Sequence, residues 1–201
     1  MADLTGPTVV RVAWLTGTTD PDAADRLLRS ELAGEVEVHR LCPRCGSSEH
    51  GRPLVVRRDG GPSPFVSLGR ADDVVVVAVS DAGPLGVDIE AIDAARFSGF
   101  ADVALHPAEL APTGGHRAIV WTRKESLLKA TGDGLHVDPR SIRVSHADQP
   151  ARLLEWTGHP QLPSVQMLDL EISGYAACVT VLTDREVAVR TRRAAPEELP
   201  G

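Results

Sequence analysis

Two acidic side chains in the pentapeptide GVDIE (86–90) have the type and spacing needed to hold a hard cation. Asp88 and Glu90 lie two residues apart, so in a β-strand both point to one face while Val87 and Ile89 point to the other. Magnesium is commonly bound through a few carboxylates together with water and substrate phosphates. The pentapeptide therefore predicts either a metal site or the end of a strand that carries two solvated acids.

A second group of ionisable residues lies further along the chain, in IVWTRKESLLKATGDGL (119–135). In a helix, Glu125 and Lys129 are an i,i+4 pair at the side of an apolar arc, and such a pair on a surface stabilises a helix by only a few tenths of a kcal/mol. Lys124 falls near the centre of that arc. There it must extend to solvent, find an acid or contact a ligand.

Hydrophobic periodicity predicts the elements that position these residues. Helices are expected at 20–33 and 117–131, and strands at 8–14, 35–39, 53–57, 64–68, 73–80, 85–90, 140–145, 151–156, 164–172, 175–183 and 185–191. The turn DAGP (81–84) predicts that the strands on either side of it form a β-hairpin.

A helix followed by strands occurs twice, which predicts an α+β fold of two similarly built halves. We expect each half to be a helix packed on a small, mostly antiparallel sheet. The predicted halves are 1–95 and 96–193, and the Pro-rich tail 194–201 is expected to be mobile.

Composition excludes several classes of protein. The chain has 201 residues, 42% hydrophobic content and a formal net charge of -7, which argues against a nucleic-acid-binding body. Its longest apolar run, VVVVAV (74–79), is far shorter than the ~20 residues of a membrane-spanning helix. Three cysteines and the absence of a signal pattern at the N-terminus indicate a reducing compartment, so we expect a cytoplasmic protein that does not bind membranes.

The two motifs together resemble the 4′-phosphopantetheinyl transferase superfamily, whose pattern is (V/I)D(I/V)E and then W/F-x-x-KE-(A/S)-x-x-K-x-x-G-x-GL. Upstream, CPRCGSSEHGRP (42–53) resembles the CG-x-x-HG-(R/K)-P segment of the larger Sfp-like branch, and VSLGRADDVVVVAVS (66–80) resembles its S-L-S-H-S strand entry. The resemblance covers roughly residues 40–145.

The resemblance implies a monomer of two pseudo-symmetric halves that binds coenzyme A and Mg²⁺ in the cleft between them. It implies transfer of the 4′-phosphopantetheine arm to a serine of an apo acyl or peptidyl carrier protein of fatty acid, polyketide or nonribosomal peptide synthesis, with release of 3′,5′-ADP. The implied metal ligands are Asp88, Glu90 and Glu125. The implied catalytic residues are Glu125 and Lys129, and the implied coenzyme A contacts are Arg52, Ser67, Arg70 and Lys129.

The chain also departs from the family pattern. Arg70 stands where relatives carry a histidine, and the N-terminal region is short, with only Arg26 and Arg29 as basic residues in its helix. The short N-terminal region predicts weak coenzyme A affinity. Both departures leave open a degenerate relative that binds carrier protein or coenzyme A without efficient transfer. The acids would equally suit another magnesium-dependent phosphoryl or pyrophosphate transferase, and an α+β domain with surface acid pairs is the simplest interpretation.

Two further patterns are weaker. His39, Cys42, Cys45 and His50 have a zinc-like spacing, but structural zinc sites usually separate their ligand pairs by about a dozen residues. The arginines near the C-terminus either meet an acidic carrier-protein helix or protect an exposed edge strand. They are Arg185, Arg190, Arg192 and Arg193.

Overall fold

The computed structural model describes residues 7–41, 45–48, 51–159, 162 and 164–199. The fold is α+β, as predicted, with few helices and several small sheets. The described elements are β1 (Thr8–Leu15), α1 (Ala23–Glu31), β2 (Val36–Leu41), β3 (Arg52–Arg57), β4 (Phe65–Ala71), β5 (Val74–Ser80), β6 (Leu85–Ala91), α2 (Phe100–Ala104), α3 (Gly114–Thr131), β7 (Ile142–Val144), β8 (Leu153–Trp156), β9 (Val165–Asp169), β10 (Tyr175–Leu182) and β11 (Val187–Arg193).

Strand β5 lies inside a four-stranded sheet of order β11-β1-β5-β4, and every one of its residues is buried. Its alternating side chains enter two different cores. Val75, Val77 and Val79 pack on the α1 side, whereas Val74 and Val76 pack on the side of β6 and β10. A strand covered on both faces needs apolar side chains at every position, which explains its unbroken apolar run.

The predicted hairpin between residues 73–80 and 85–90 is wrong. Strand β5 pairs with β1 and β4, whereas β6 pairs with β10 in a separate sheet of order β6-β10-β9. The turn between them is held at the end of β10, because the Leu182 backbone N–H donates to the Pro84 carbonyl over 2.9 Å. Gly83 packs so closely there that a Cβ would overlap the Leu182 carbonyl oxygen.

The sheets do not follow the order of the chain. Strand β6 precedes residue 95 but pairs with β10, and β11, near the C-terminus, pairs in parallel with β1. Helix α1 packs on the four-stranded sheet, and α3 packs on β6 and β10. The division into halves at 1–95 and 96–193 stays a prediction, with strands exchanged across it in both directions.

Other predictions concern the chain ends, the cysteines and the membrane. Arg192 donates to Glu31 and Glu198, so part of the predicted basic patch is engaged inside the chain. The mobility of 194–201 stays a prediction.

The predicted zinc-like pattern cannot be followed in full, because Cys42 and His50 lie outside the described residues. No helix in the described ranges is long and apolar enough to cross a membrane.

Candidate active site

The two sequence motifs meet where α3 crosses β6. At Gly86 the backbones are so close that a Cβ would overlap the Ser126 carbonyl oxygen and lie 2.6 Å from the Ala130 nitrogen. Only glycine permits this approach. It lets α3 lie directly on the strand that carries Asp88 and Glu90.

The spacing of side chains along one face of α3 matches the spacing along one face of β6. Side chains four residues apart on α3 rise by about 6 Å, and alternate residues on β6 rise by about 6–7 Å. Trp121 is a hydrogen-bonding neighbour of Glu90, and the Lys129 ammonium donates to Asp88 Oδ1 over 2.7 Å. Glu125 lies on the same face of α3, halfway between Trp121 and Lys129. The structure thus brings Asp88, Glu90 and Glu125 near one another, and their role as metal ligands stays a prediction.

The pKa values of all three carboxyl groups are raised, first by burial and, for Glu90 and Glu125, also by neighbouring negative charge. Burial, followed by the charge of Asp88, raises the pKa of Glu125 to about 7. The same two causes raise the pKa of Glu90, against a hydrogen bond from Trp121. Burial also raises the pKa of Asp88, against the charge of Lys129. A single lysine therefore accompanies three mutually repelling acids.

Two buried carboxylate oxygens of the site have unused hydrogen-bonding capacity. No donor in the described ranges reaches Asp88 Oδ2 or Glu125 Oε1. Buried polar atoms are normally paired, so orphaned carboxylate oxygens beside like charges fit a hard cation such as Mg²⁺. Among the described residues no three side chains already form a complete ligand set. The acids would therefore have to draw together around an ion.

A cleft of about 820 Å³ opens next to Lys129, and Asp88, Glu90 and Glu125 are not among its lining residues. Its walls include all four residues predicted to contact coenzyme A, namely Arg52, Ser67, Arg70 and Lys129. Most of the remaining wall is apolar or backbone, which is usual for small-molecule sites. Lys129 joins the cleft to the acids, because it lines the cleft and also pairs with Asp88.

Ser67 and Arg70 already have partners within the chain. The Ser67 hydroxyl accepts the Val87 backbone N–H over 3.0 Å, so it also fixes β6 against β4. The Arg70 guanidinium donates to the carbonyls of Asp20 and Pro21, over 2.7 and 3.3 Å. Their contacts with coenzyme A stay predictions.

Sequence reasoning missed the far wall of the cleft, which is formed by residues 131–134 and His136. Gly132, with a φ of 83°, ends α3 in the left-handed conformation. A Cβ at Gly132 would lie 3.3 Å from the Arg52 guanidinium. The G-x-GL ending of the second motif was the available signal, because it places a turn directly after Lys129.

Comparison with known protein families identifies the family that the motifs resemble. The sequence profile of the 4′-phosphopantetheinyl transferase superfamily matches residues 84–180, a range that contains both motifs and the three acids. The match covers 97 of the 201 residues and agrees with the motifs, which predicted the same superfamily. Its members use coenzyme A as the donor of phosphopantetheine and act on carrier proteins. A search of curated proteins finds no significant match.

Proposed function

We propose that this protein transfers the 4′-phosphopantetheine arm of coenzyme A to a serine of an apo carrier protein, with magnesium, and releases 3′,5′-ADP. The observation that carries the proposal is the continuity of the site. One cleft is lined by Arg52, Ser67, Arg70 and Lys129. Lys129 donates to Asp88, next to carboxylate oxygens that have no partner among the described residues. The Sfp-like branch is part of this proposal.

The cleft supplies cations for an anionic donor. The Lys129 ammonium donates to the Leu68 carbonyl at 3.2 Å, the Val87 carbonyl at 3.0 Å and Asp88 Oδ1 at 2.7 Å. These three hydrogen bonds fix it in position. A fixed cation is suited to the pyrophosphate of coenzyme A, because it needs little reorganisation during transfer. Arg52 and Arg70 would contact other phosphate oxygens.

Asp88, Glu90 and Glu125 would hold the metal. A magnesium ion in that position supplies charge neutralisation for the pyrophosphate. In the transfer itself, the serine oxygen forms a bond to the β-phosphorus, and the bond from that phosphorus to the bridging oxygen breaks. Glu125, or a metal-held water that it orients, would take the serine proton. Lys129 offsets the charge of the leaving 3′,5′-ADP.

One observation favours a second candidate function, that of a binding protein without efficient transfer. Arg70 stands where the family pattern has a histidine, and its guanidinium donates to the backbone carbonyls of Asp20 and Pro21, which do not line the cleft. An arginine engaged in this way cannot act as a neutral imidazole.

The decisive experiment incubates the protein with coenzyme A, Mg²⁺ and several apo carrier proteins and measures the phosphopantetheine mass increment on each carrier. We expect the increment with wild-type protein, its loss in EDTA, and a loss of at least about 100-fold in Asp88→Ala and Glu125→Gln. An absence of increment on every carrier, with carrier or coenzyme A still bound, would support the binding protein. Transfer by Asp88→Ala at the wild-type rate would overturn the assignment of the acids.

A further inference from the structure

The second motif contains a lysine that does not reach the cleft. Lys124 is fully buried, and its ammonium donates to three oxygens: Glu109 Oε2 at 2.6 Å, the Ala104 carbonyl at 2.7 Å and the Pro139 carbonyl at 3.0 Å. An ammonium has three N–H groups, so all of its donors are used. Lys129 also donates to three oxygens, but its side chain is 31% exposed and lines the cleft, whereas that of Lys124 has no exposed surface.

Its partner, Glu109, is also buried and hydrogen-bonded within the chain. The Glu109 side chain is 4% exposed, and it accepts hydrogen bonds from Lys124, from the His106 backbone N–H at 2.8 Å and from the Val144 backbone N–H at 2.7 Å. This one carboxylate thus joins the loop after α2, strand β7 and helix α3. No sequence pattern singles out Glu109, which lies between the two motifs.

The ion pair between Glu109 and Lys124 fixes α3 one residue before Glu125. Arg123, also fully buried, forms a two-pronged ion pair with Asp169 of β9, at 3.0 and 2.6 Å. Ser126 shares a hydrogen bond of 2.7 Å with Thr180 of β10. Arg123 and Ser126, on either side of Glu125, therefore fix α3 to β9 and β10.

We propose that Glu109 and Lys124 are positioning residues that set the rotation of α3 and so aim Glu125 at Asp88. A side-chain tip lies about 5–6 Å from a helix axis, so a rotation of about 10° moves it by about 1 Å. A displacement of that size in a catalytic group can cost about 100-fold in rate. This role rests on the proposed function, because it concerns the same site.

The test separates positioning from stability by removing both charges. Lys124→Met or Glu109→Gln alone leaves one buried group without its partner, and we expect both single variants to be clearly destabilised. The double variant Lys124→Met/Glu109→Gln leaves no charge at this pair, and we expect it to regain much of the lost stability in thermal unfolding. Asp59→Asn, which removes a surface ion pair with Arg57, is the control.

Two measurements follow on the folded double variant: the thermal stabilisation caused by Mg²⁺, and kcat and KM for coenzyme A with an apo carrier. We expect a reduced Mg²⁺ stabilisation, a kcat at least about 10-fold lower and a nearly unchanged KM, with wild-type values in Asp59→Asn. A double variant with recovered stability, full Mg²⁺ response and wild-type kcat would overturn the positioning role alone. A wild-type protein with neither Mg²⁺ response nor transfer would instead contradict the proposed function.

Discussion

Removal of the Glu125 charge should make the metal-free protein more stable, although the same change should abolish transfer. Glu125 is a partly buried carboxylate with one oxygen lacking a donor among the described residues, and it lies beside two further acids. Glutamine has nearly the same shape without the charge. Glu125→Gln therefore removes a repulsion and little else when no metal is bound.

The magnitude follows from the pKa of Glu125, which is about 7 in the folded protein against an ordinary value of 4.5. Each pKa unit corresponds to about 1.4 kcal/mol, so the upper limit at pH 8 is about 3 kcal/mol. Partial solvent exposure weakens the effect, and we expect about 2 kcal/mol. For a protein of this size that corresponds to about 4–8 °C in Tm.

The dependence on pH has a definite sign. A carboxyl whose folded pKa is raised binds more protons in the native state than in the unfolded state between about pH 4.5 and 7. The wild-type protein in EDTA should therefore lose stability as pH rises through that window. Glu125→Gln should lose less, so the two proteins should converge at about pH 4.5 and differ most at pH 8.

Thermal and urea unfolding in EDTA at several pH values measure this difference, and titration with Mg²⁺ at pH 8 completes the assay. Mg²⁺ should stabilise the wild type in proportion to the logarithm of its concentration and should act much less on Glu125→Gln. Glu155→Gln, on the exposed face of β8, serves as the control and should change neither property. The reasoning is refuted if Glu125→Gln is less stable than wild type in EDTA at pH 8.

Three other predictions test separate parts of the structure. Gly86→Ala should destabilise the protein by about 2–3 kcal/mol in urea unfolding, because its Cβ would overlap the backbone of α3; near-wild-type stability would contradict the close approach. Cys178 is buried, and burial raises the pKa of its thiol to about 12, so mass spectrometry should find it alkylated at pH 8 only in denaturant. Arg70→Ala should weaken binding of coenzyme A about 10-fold and leave 3′-dephospho-coenzyme A unchanged in calorimetry. A wild-type Kd in the low micromolar range or tighter would contradict the predicted weak affinity.

The order of most helices and strands could be predicted from the sequence, because apolar runs bounded by turn residues mark them. Helix α2 was not predicted. The pairing of β6 could not be predicted either. A short turn between two apolar runs is the usual signal of a hairpin, and nothing in DAGP (81–84) shows that Gly83 and Pro84 dock on Leu182, about a hundred residues later. Long-range pairing of this kind depends on shape, which a local pattern does not contain.

The candidate site, too, could be predicted only in part from the sequence. The register of Asp88 and Glu90 against Glu125 follows from the periods of strand and helix, and both are readable in the sequence. The burial of Arg123 is not readable, because an arginine between a threonine and a lysine has the pattern of a solvated helix face. It becomes a core residue through Asp169 and carbonyl groups of the loop that begins at Ser145.

The two lysines of the motif show how far residue type alone can mislead about function. Lys124 and Lys129 are five positions apart, so they project about 140° from each other around α3. The sequence predicts this angle, but the acid that each lysine meets is supplied by a different part of the fold. Both ammonium groups donate to one acid and two backbone carbonyls. The Lys124 side chain has no exposed surface, whereas that of Lys129 is 31% exposed and lines the cleft. Asp88, the partner of Lys129, keeps one oxygen without a partner among the described residues. Equal charge is therefore enclosed in the core at one position and open to the cleft at the other.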